Sequence, residues 1–182
     1  MPRLHPLLRV GIIAVSLYLL WFFGYEQWLA PDGRLDAVLM HNLAAAGAAV
    51  LRMANYQAMV PDAQSNVLFL NGVPAVVVSA PCDGLVLYAL FTGFVLAFPG
   101  PIRHKLWFIP LGNLLIYGIN VLRIAALGIN QYYAHESVDF NHHYTFTFVV
   151  YAFIFLLWMW WATRLATRKS APTQPDTTYA YA

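Results

Sequence analysis

Three polar residues, far apart in the chain, have the side-chain types that acyl transfer needs: Cys82, Arg123 and His143. A thiolate is the nucleophile of such a set, and at the ordinary thiol pKa near ~8.5 little of it is ionised at neutral pH unless a cation stands beside it. An arginine supplies that cation. It can also donate two hydrogen bonds to the oxyanion that forms when sulfur attacks an acyl carbon. An imidazole accepts the thiol proton, then protonates a leaving amine or deprotonates the incoming nucleophile. Cys82 is the sole cysteine of the chain, which excludes an internal disulfide and a metal site of several thiolates.

Whether these residues meet depends on the elements that carry them. With 60% hydrophobic and 10% charged residues in 182, the chain has the composition of a membrane protein. The net charge of +2 is too small to drive nucleic-acid binding, and no nucleic-acid partner is expected. Apolar runs over 7–25, 84–99, 106–133 and 144–162 predict four transmembrane helices. The second is short for a bilayer that needs about 17 to 25 residues, so tilt or preceding residues must extend it. Arg3 with Arg9, Arg103 with Lys105, and Arg164 with Arg168 and Lys169 then share the cytoplasmic side. The segment 26–83 and the loop Ala134 to His143 face outward, with Trp and Tyr residues at both interfaces.

Ala37 to Leu51 is apolar enough to raise the question of a fifth span. His41, Asn42, Gly47 and the many alanines argue instead for an amphipathic helix at the outer surface, partly embedded at most. Asp32 and Asp36 near its start and Arg52 at its end match the helix dipole. Two β-prone runs flank Asn71-Gly72, which predicts a small β-hairpin ahead of Cys82, with Pro74 on an edge strand. The fold class is therefore an all-α polytopic membrane protein carrying a small outer hairpin. Residues 1–166 form a single integral membrane domain, and the Pro-containing polar segment 167–182 is expected to be a disordered cytoplasmic tail.

These elements bring the reactive types to one depth. Arg123 lies about 17 residues beyond Leu106, or roughly 26 Å into a hydrocarbon layer of about 30 Å. It approaches the outer surface, where Cys82 begins the second span and His143 the fourth. A guanidinium in an apolar run is costly and faces protein or water. Blander readings exist for each residue. Cys82 could be a packing residue, Arg123 could snorkel to headgroups, and His142 and His143 could be loop residues or bind metal with His135, Glu136 and Asp139. Asp83 either orients His143 or begins a helix turn, and Asn113, Asn120 and Asn130 are suited to interhelical hydrogen bonds.

In order and spacing the set resembles the exosortase/archaeosortase family of membrane cysteine transpeptidases, whose pattern runs Cys-x-Gly, Asn-x-x-Arg, then His. Here it reads "PCDGL" (Cys82, Gly84), "NVLR" (Asn120 to Arg123) and "NHHYTFTFVVY" (His143), within about Val67 to Trp161. The family's small and aromatic residues at four-residue steps after the histidine match Thr147 and Tyr151, which favours His143 over His142. Asp83 stands where many members have Ser, and fewer spans precede the cysteine, as in the short members.

The resemblance implies a catalytic set of Cys82, Arg123 and His143, with Asp83, Gly84, Asn120 and His142 supporting or contacting substrate. No cofactor and no metal are expected. The expected substrates are exported proteins ending in a short motif, a transmembrane helix and a basic tail. They would be cut through a thioester and passed to a lipid or glycan acceptor, at the outer side of a bacterial inner membrane. Two other functions fit the residues without that chemistry: a non-enzymatic integral membrane subunit, and a metal- or haem-binding membrane protein.

Overall fold

The computed structural model describes residues 6–62, 64–134, 136 and 145–166. His135, His142, His143, Asp139 and the segment 167–182 lie outside the described residues.

Helix α1, Pro6–Trp21, runs on through wider π-type turns at Phe22–Leu29 and a short turn at Ala30–Asp32. Gly33 ends it in the left-handed region at φ 64°, a conformation a Cβ disfavours. Helix α2, Arg34–Met53, follows at once. It buries Leu43, Ala44, Gly47, Ala48 and Leu51, which recur at steps of three and four and so form one face. That face packs on α4 (Ile102–Tyr133) and on the sheet. Its small residues set the spacing: a Cβ at Gly47 would lie 2.9 Å from Ile124 Cγ2. The alanines that gain little from lipid are here spent on protein contact.

The sheet has three antiparallel strands, β1 (Ala58–Met59), β2 (Val67–Leu70) and β3 (Val73–Val77), in the order β1-β2-β3. Asn71 (φ 51°) and Gly72 (φ 84°) form the two-residue turn between β2 and β3, both with the positive φ such hairpins require. Pro74 lies on the edge strand β3, where its missing N–H costs no ladder bond. The expected hairpin is thus one strand short of the observed sheet. β1 pairs through only two residues, Ala58 opposite Leu70 and Met59 opposite Phe69, and so short a strand leaves no alternation in the sequence.

From β3 the chain enters a 3₁₀ turn, Ala80–Cys82, then α3 (Leu85–Ala97), α4, and α5 (Phe146–Trp160) with wide turns over Trp161–Leu165. Two helical stretches among the described residues are long and apolar enough to cross a membrane, Ile102–Tyr133 and Phe146–Leu165. α3 has 13 residues. At about 1.5 Å per residue it spans roughly 20 Å, short of a hydrocarbon layer of about 30 Å.

The core has two parts. One gathers Leu43, Leu51, Leu68, Leu70, Val78, Cys82 and Ile124, where α2 and the sheet meet the C-terminal half of α4. The other gathers Phe91, Phe108, Ile116, Ile154, Leu157 and Trp161 between α3, the N-terminal half of α4, and α5. At the far end of this second core, His104 Nδ1 lies 3.3 Å from Leu165 O, and Lys105 Nζ donates to Leu96 O (2.8 Å) and Phe98 O (2.9 Å). The basic start of α4 and the end of α5 that bears Arg164 therefore lie together, lining one open cavity with Trp107 and Trp160.

Candidate active site

The turn that presents Cys82 is built from backbone requirements. Ser79 is extended, Pro81 restricts the residue before it and presets its own φ, and Cys82 N donates to Ser79 O at 2.8 Å. Asp83 N donates to Ala80 O at 3.2 Å. Gly84 then takes φ 87°, and a Cβ there would lie 3.0 Å from Asn120 Nδ2 and 3.1 Å from Tyr88 Oη. Glycine is required twice over, by backbone sign and by space. Asp83 Oδ1 accepts from Leu85 N at 2.8 Å, satisfying an N–H at the start of α3. Of the two roles open to Asp83, beginning the helix is observed.

α4 closes the site from the other side. Asn120, fully buried, donates from Nδ2 to the Cys82 carbonyl at 2.9 Å. Arg123, one turn later on the same face, places Nη2 3.7 Å from Cys82 Sγ. The Cys82 residue is 6% exposed. A guanidinium is planar and presents its N–H donors in a fixed fork that suits an anion. The structure thus joins Cys82, Asp83, Gly84, Asn120 and Arg123 in one place. His142 and His143 lie outside the described residues, and the described chain resumes at Thr145, just before α5. Among the described residues no group of three or more His, Cys, Asp or Glu could hold a metal ion. The candidate ligands of the His135–His143 loop, Glu136 apart, lie outside them.

Sequence reasoning missed Asp36 and Tyr25. Tyr25 Oη donates to Asp36 Oδ1 at 2.9 Å, and Asp36 is buried, as Asp83 is. An acid in the first turn of a helix reads as a solvated dipole partner, and nothing in the spacing signals that this one is buried. Tyr25 reads equally well as an interfacial aromatic.

A family model described as transmembrane exosortase (Exosortase_EpsH) matches residues 5–161, most of the chain. The chain belongs to the transmembrane exosortase family. That family consists of membrane cysteine transpeptidases that act on sorting signals, so the chain is a membrane protein of the sorting-transpeptidase kind. The match runs through α1 to α5 and includes the Cys82 turn and the Asn120–Arg123 stretch of α4. No curated protein and no solved structure matches the chain.

Proposed function

We propose that this exosortase is a membrane-embedded cysteine transpeptidase that cleaves the C-terminal sorting signal of exported proteins and transfers them to a surface acceptor. The observation that carries the reading is the approach of Arg123 Nη2 to Cys82 Sγ at 3.7 Å, between residues on different elements of a chain with a single cysteine. In this reading Cys82 is the nucleophile, Arg123 the thiolate and oxyanion partner, and His143 the general acid and base, with His142 beside it. Asn120, Gly84 and Asp83 hold the turn.

The sulfur attacks the scissile carbonyl carbon, and the carbonyl oxygen gains the negative charge that Arg123 meets. As the tetrahedral species collapses, the C–N bond breaks and the imidazolium of His143 gives its proton to the leaving amine. The protein is then a thioester on Cys82. An amine or hydroxyl of a lipid or glycan acceptor, deprotonated by the same imidazole, attacks that thioester and expels the thiolate. The helix of the sorting signal lies beside the enzyme's spans, which fixes the depth of the scissile bond and supplies proximity.

Spans over about 7–25, 84–99, 106–133 and 144–162 set Cys82 at the extracytoplasmic face of a bacterial inner membrane. The meeting of the basic ends of α4 and α5 supports one shared cytoplasmic side for those two ends. The test is processing of a tailed substrate by Cys82→Ala and Arg123→Ala variants that still assemble in the membrane. Uncleaved substrate is expected to accumulate with both, by at least about 100-fold in rate. Normal processing by either variant overturns the mechanism.

A further inference from the structure

At the end of the molecule away from the thiol, the start of α4 and the end of α5 enclose an open cavity of about 630 Å³ lined by His104, Trp107, Trp160, Arg164 and Leu165. His104 precedes Arg123 on α4 by roughly 29 Å of helix rise, so this cavity is separate from the Cys82 turn. Its walls are tied together. His104 Nδ1 lies 3.3 Å from Leu165 O, and the Phe108 ring meets that of Trp160 at 5.6 Å and that of Trp161 at 5.2 Å. Lys105 is engaged elsewhere, on Leu96 O and Phe98 O.

The polar part of the lining is basic. No Asp or Glu is among the described residues of the cavity, and no described carboxylate lies within ion-pair distance of Arg164, which is exposed. Its guanidinium presents a fork of N–H donors that matches two oxygens of one phosphate. With Nδ1 toward Leu165 O, the His104 ring keeps Nε2 for a second partner.

The residues beyond the cavity decide the kind of anion. Pro110 and Leu114 follow Trp107 at helical steps of three and seven, and Leu156 precedes Trp160 by four, so they continue the faces that line the cavity. Leu114 is 65% exposed and Leu156 63%. Trp107 and Trp160, both exposed, stand between these apolar side chains and the basic groups. α4 runs away from His104 while α5 runs toward Arg164, so both helices give one order: base, indole, aliphatic. A phospholipid has the matching order of phosphate, ester region and acyl chain, and indoles favour the level of the headgroups and esters.

We propose that this cavity binds the headgroup of an anionic phospholipid, with its phosphate diester on Arg164 and His104 and an acyl chain along Leu114 and Leu156. A soluble phosphate ester would use the two basic groups and leave the apolar faces uncovered. The basic tail of the proposed substrate is repelled by Arg164, so the lining does not suit it. Held by one residue from each helix, the phosphate ties α4 to α5 and fixes the depth of both against the headgroup layer. The binding uses nothing of the transfer chemistry and stands apart from the transpeptidase reading.

The test uses the full chain purified in neutral detergent and mixed with equal amounts of phosphatidylglycerol and phosphatidylcholine of one chain length, with retained lipid read by native mass spectrometry. The wild type is expected to prefer phosphatidylglycerol by about 5-fold or more, and Arg164→Gln by no more than about 2-fold. Because Arg164 is exposed, this variant is expected to keep its thermal midpoint in lipid-free detergent within about 2 °C. Phosphatidylglycerol should raise the midpoint of the wild type more than that of the variant. Arg103→Gln removes an exposed cation from the same end but not from the lining, and is expected to keep the wild-type preference. Glycerol phosphate, which has the same phosphate chemistry without chains, is expected to displace no lipid at about 10-fold excess.

Equal retention of the two lipids by the wild type, or an undiminished preference in Arg164→Gln, overturns the site. An equal loss in Arg103→Gln reduces it to the general attraction of a basic surface. Displacement by glycerol phosphate shows a site for a soluble phosphate ester and overturns the lipid.

Discussion

At the scale of single residues, the site is a thiol held in a turn that tolerates little change. Gly84→Ala places a methyl against Asn120 Nδ2 and Tyr88 Oη at a φ of 87°. The backbone must leave that region or push Asn120 off the Cys82 carbonyl, so Cys82-dependent processing is expected to drop by about 10-fold or more, and the fold to lose about 1–3 kcal/mol in thermal unfolding. Asn120→Leu keeps similar volume but leaves a buried carbonyl without its donor, a loss of about 1–3 kcal/mol measured the same way. The buried Asp83 carboxyl also sets a pH dependence of stability. Because the folded Asp83 holds its proton to about 6 and the unfolded one only to 3.8, its contribution is complete below 3.8 and is lost as pH rises through 6. Thermal midpoints in detergent are therefore expected to fall between about pH 4 and about pH 6.5, and Asp83→Asn to shrink that fall. A wild-type midpoint that rises across this range, with Asp83→Asn behaving the same way, contradicts Asp83 as the source.

At the scale of elements, what the sequence revealed depended on how local the cause was. Asn71-Gly72 declares its turn because positive φ at two successive residues suits few others, and the runs on either side of it are apolar, with Val, Leu and Phe. The approach of Arg123 to Cys82 was legible through helix rise alone, since α4 is one unbroken helix from its basic end. β1 left no trace, because two residues carry no period. The burial of Asp36 was hidden because it depends on where α1 returns Tyr25, a tertiary fact. Helix spacing is equally non-local: Gly112 on α4 looks replaceable, yet a Cβ there would run into the ring of Phe91 on α3. Phe91 is fully buried, between Phe108 and its other neighbours, and has little room to turn. Gly112→Ala is expected to destabilise by about 1–3 kcal/mol, and Phe91→Leu in the same chain to recover part of that loss. Equal midpoints for Gly112→Ala and wild type would show that the two helices can separate freely.

At the scale of the whole molecule, the question is which way the chain faces. The two cores divide it along α4: Cys82, the sheet and α2 surround its C-terminal half, and α3 and α5 clasp its N-terminal half down to the basic residues. Large apolar side chains on α1 and α5, among them Val15, Leu20, Phe148, Phe155 and Leu156, remain exposed in the isolated chain, as suits lipid or the helix of a sorting signal. In the proposed topology, retention of Lys and Arg on the cytoplasmic side would put the sheet outside. Cys82 is too buried to be the sole reporter, so the test uses a Cys82→Ala background with one new cysteine at a time. Gln64, exposed beside the sheet, and Arg103, exposed at the start of α4, mark the two ends. Gln64→Cys is expected to react with a membrane-impermeant maleimide in intact spheroplasts, and Arg103→Cys only after lysis. The reverse pattern would put the thiol in the reducing compartment, away from exported substrates, and labelling of both before lysis would mean that α4 does not cross.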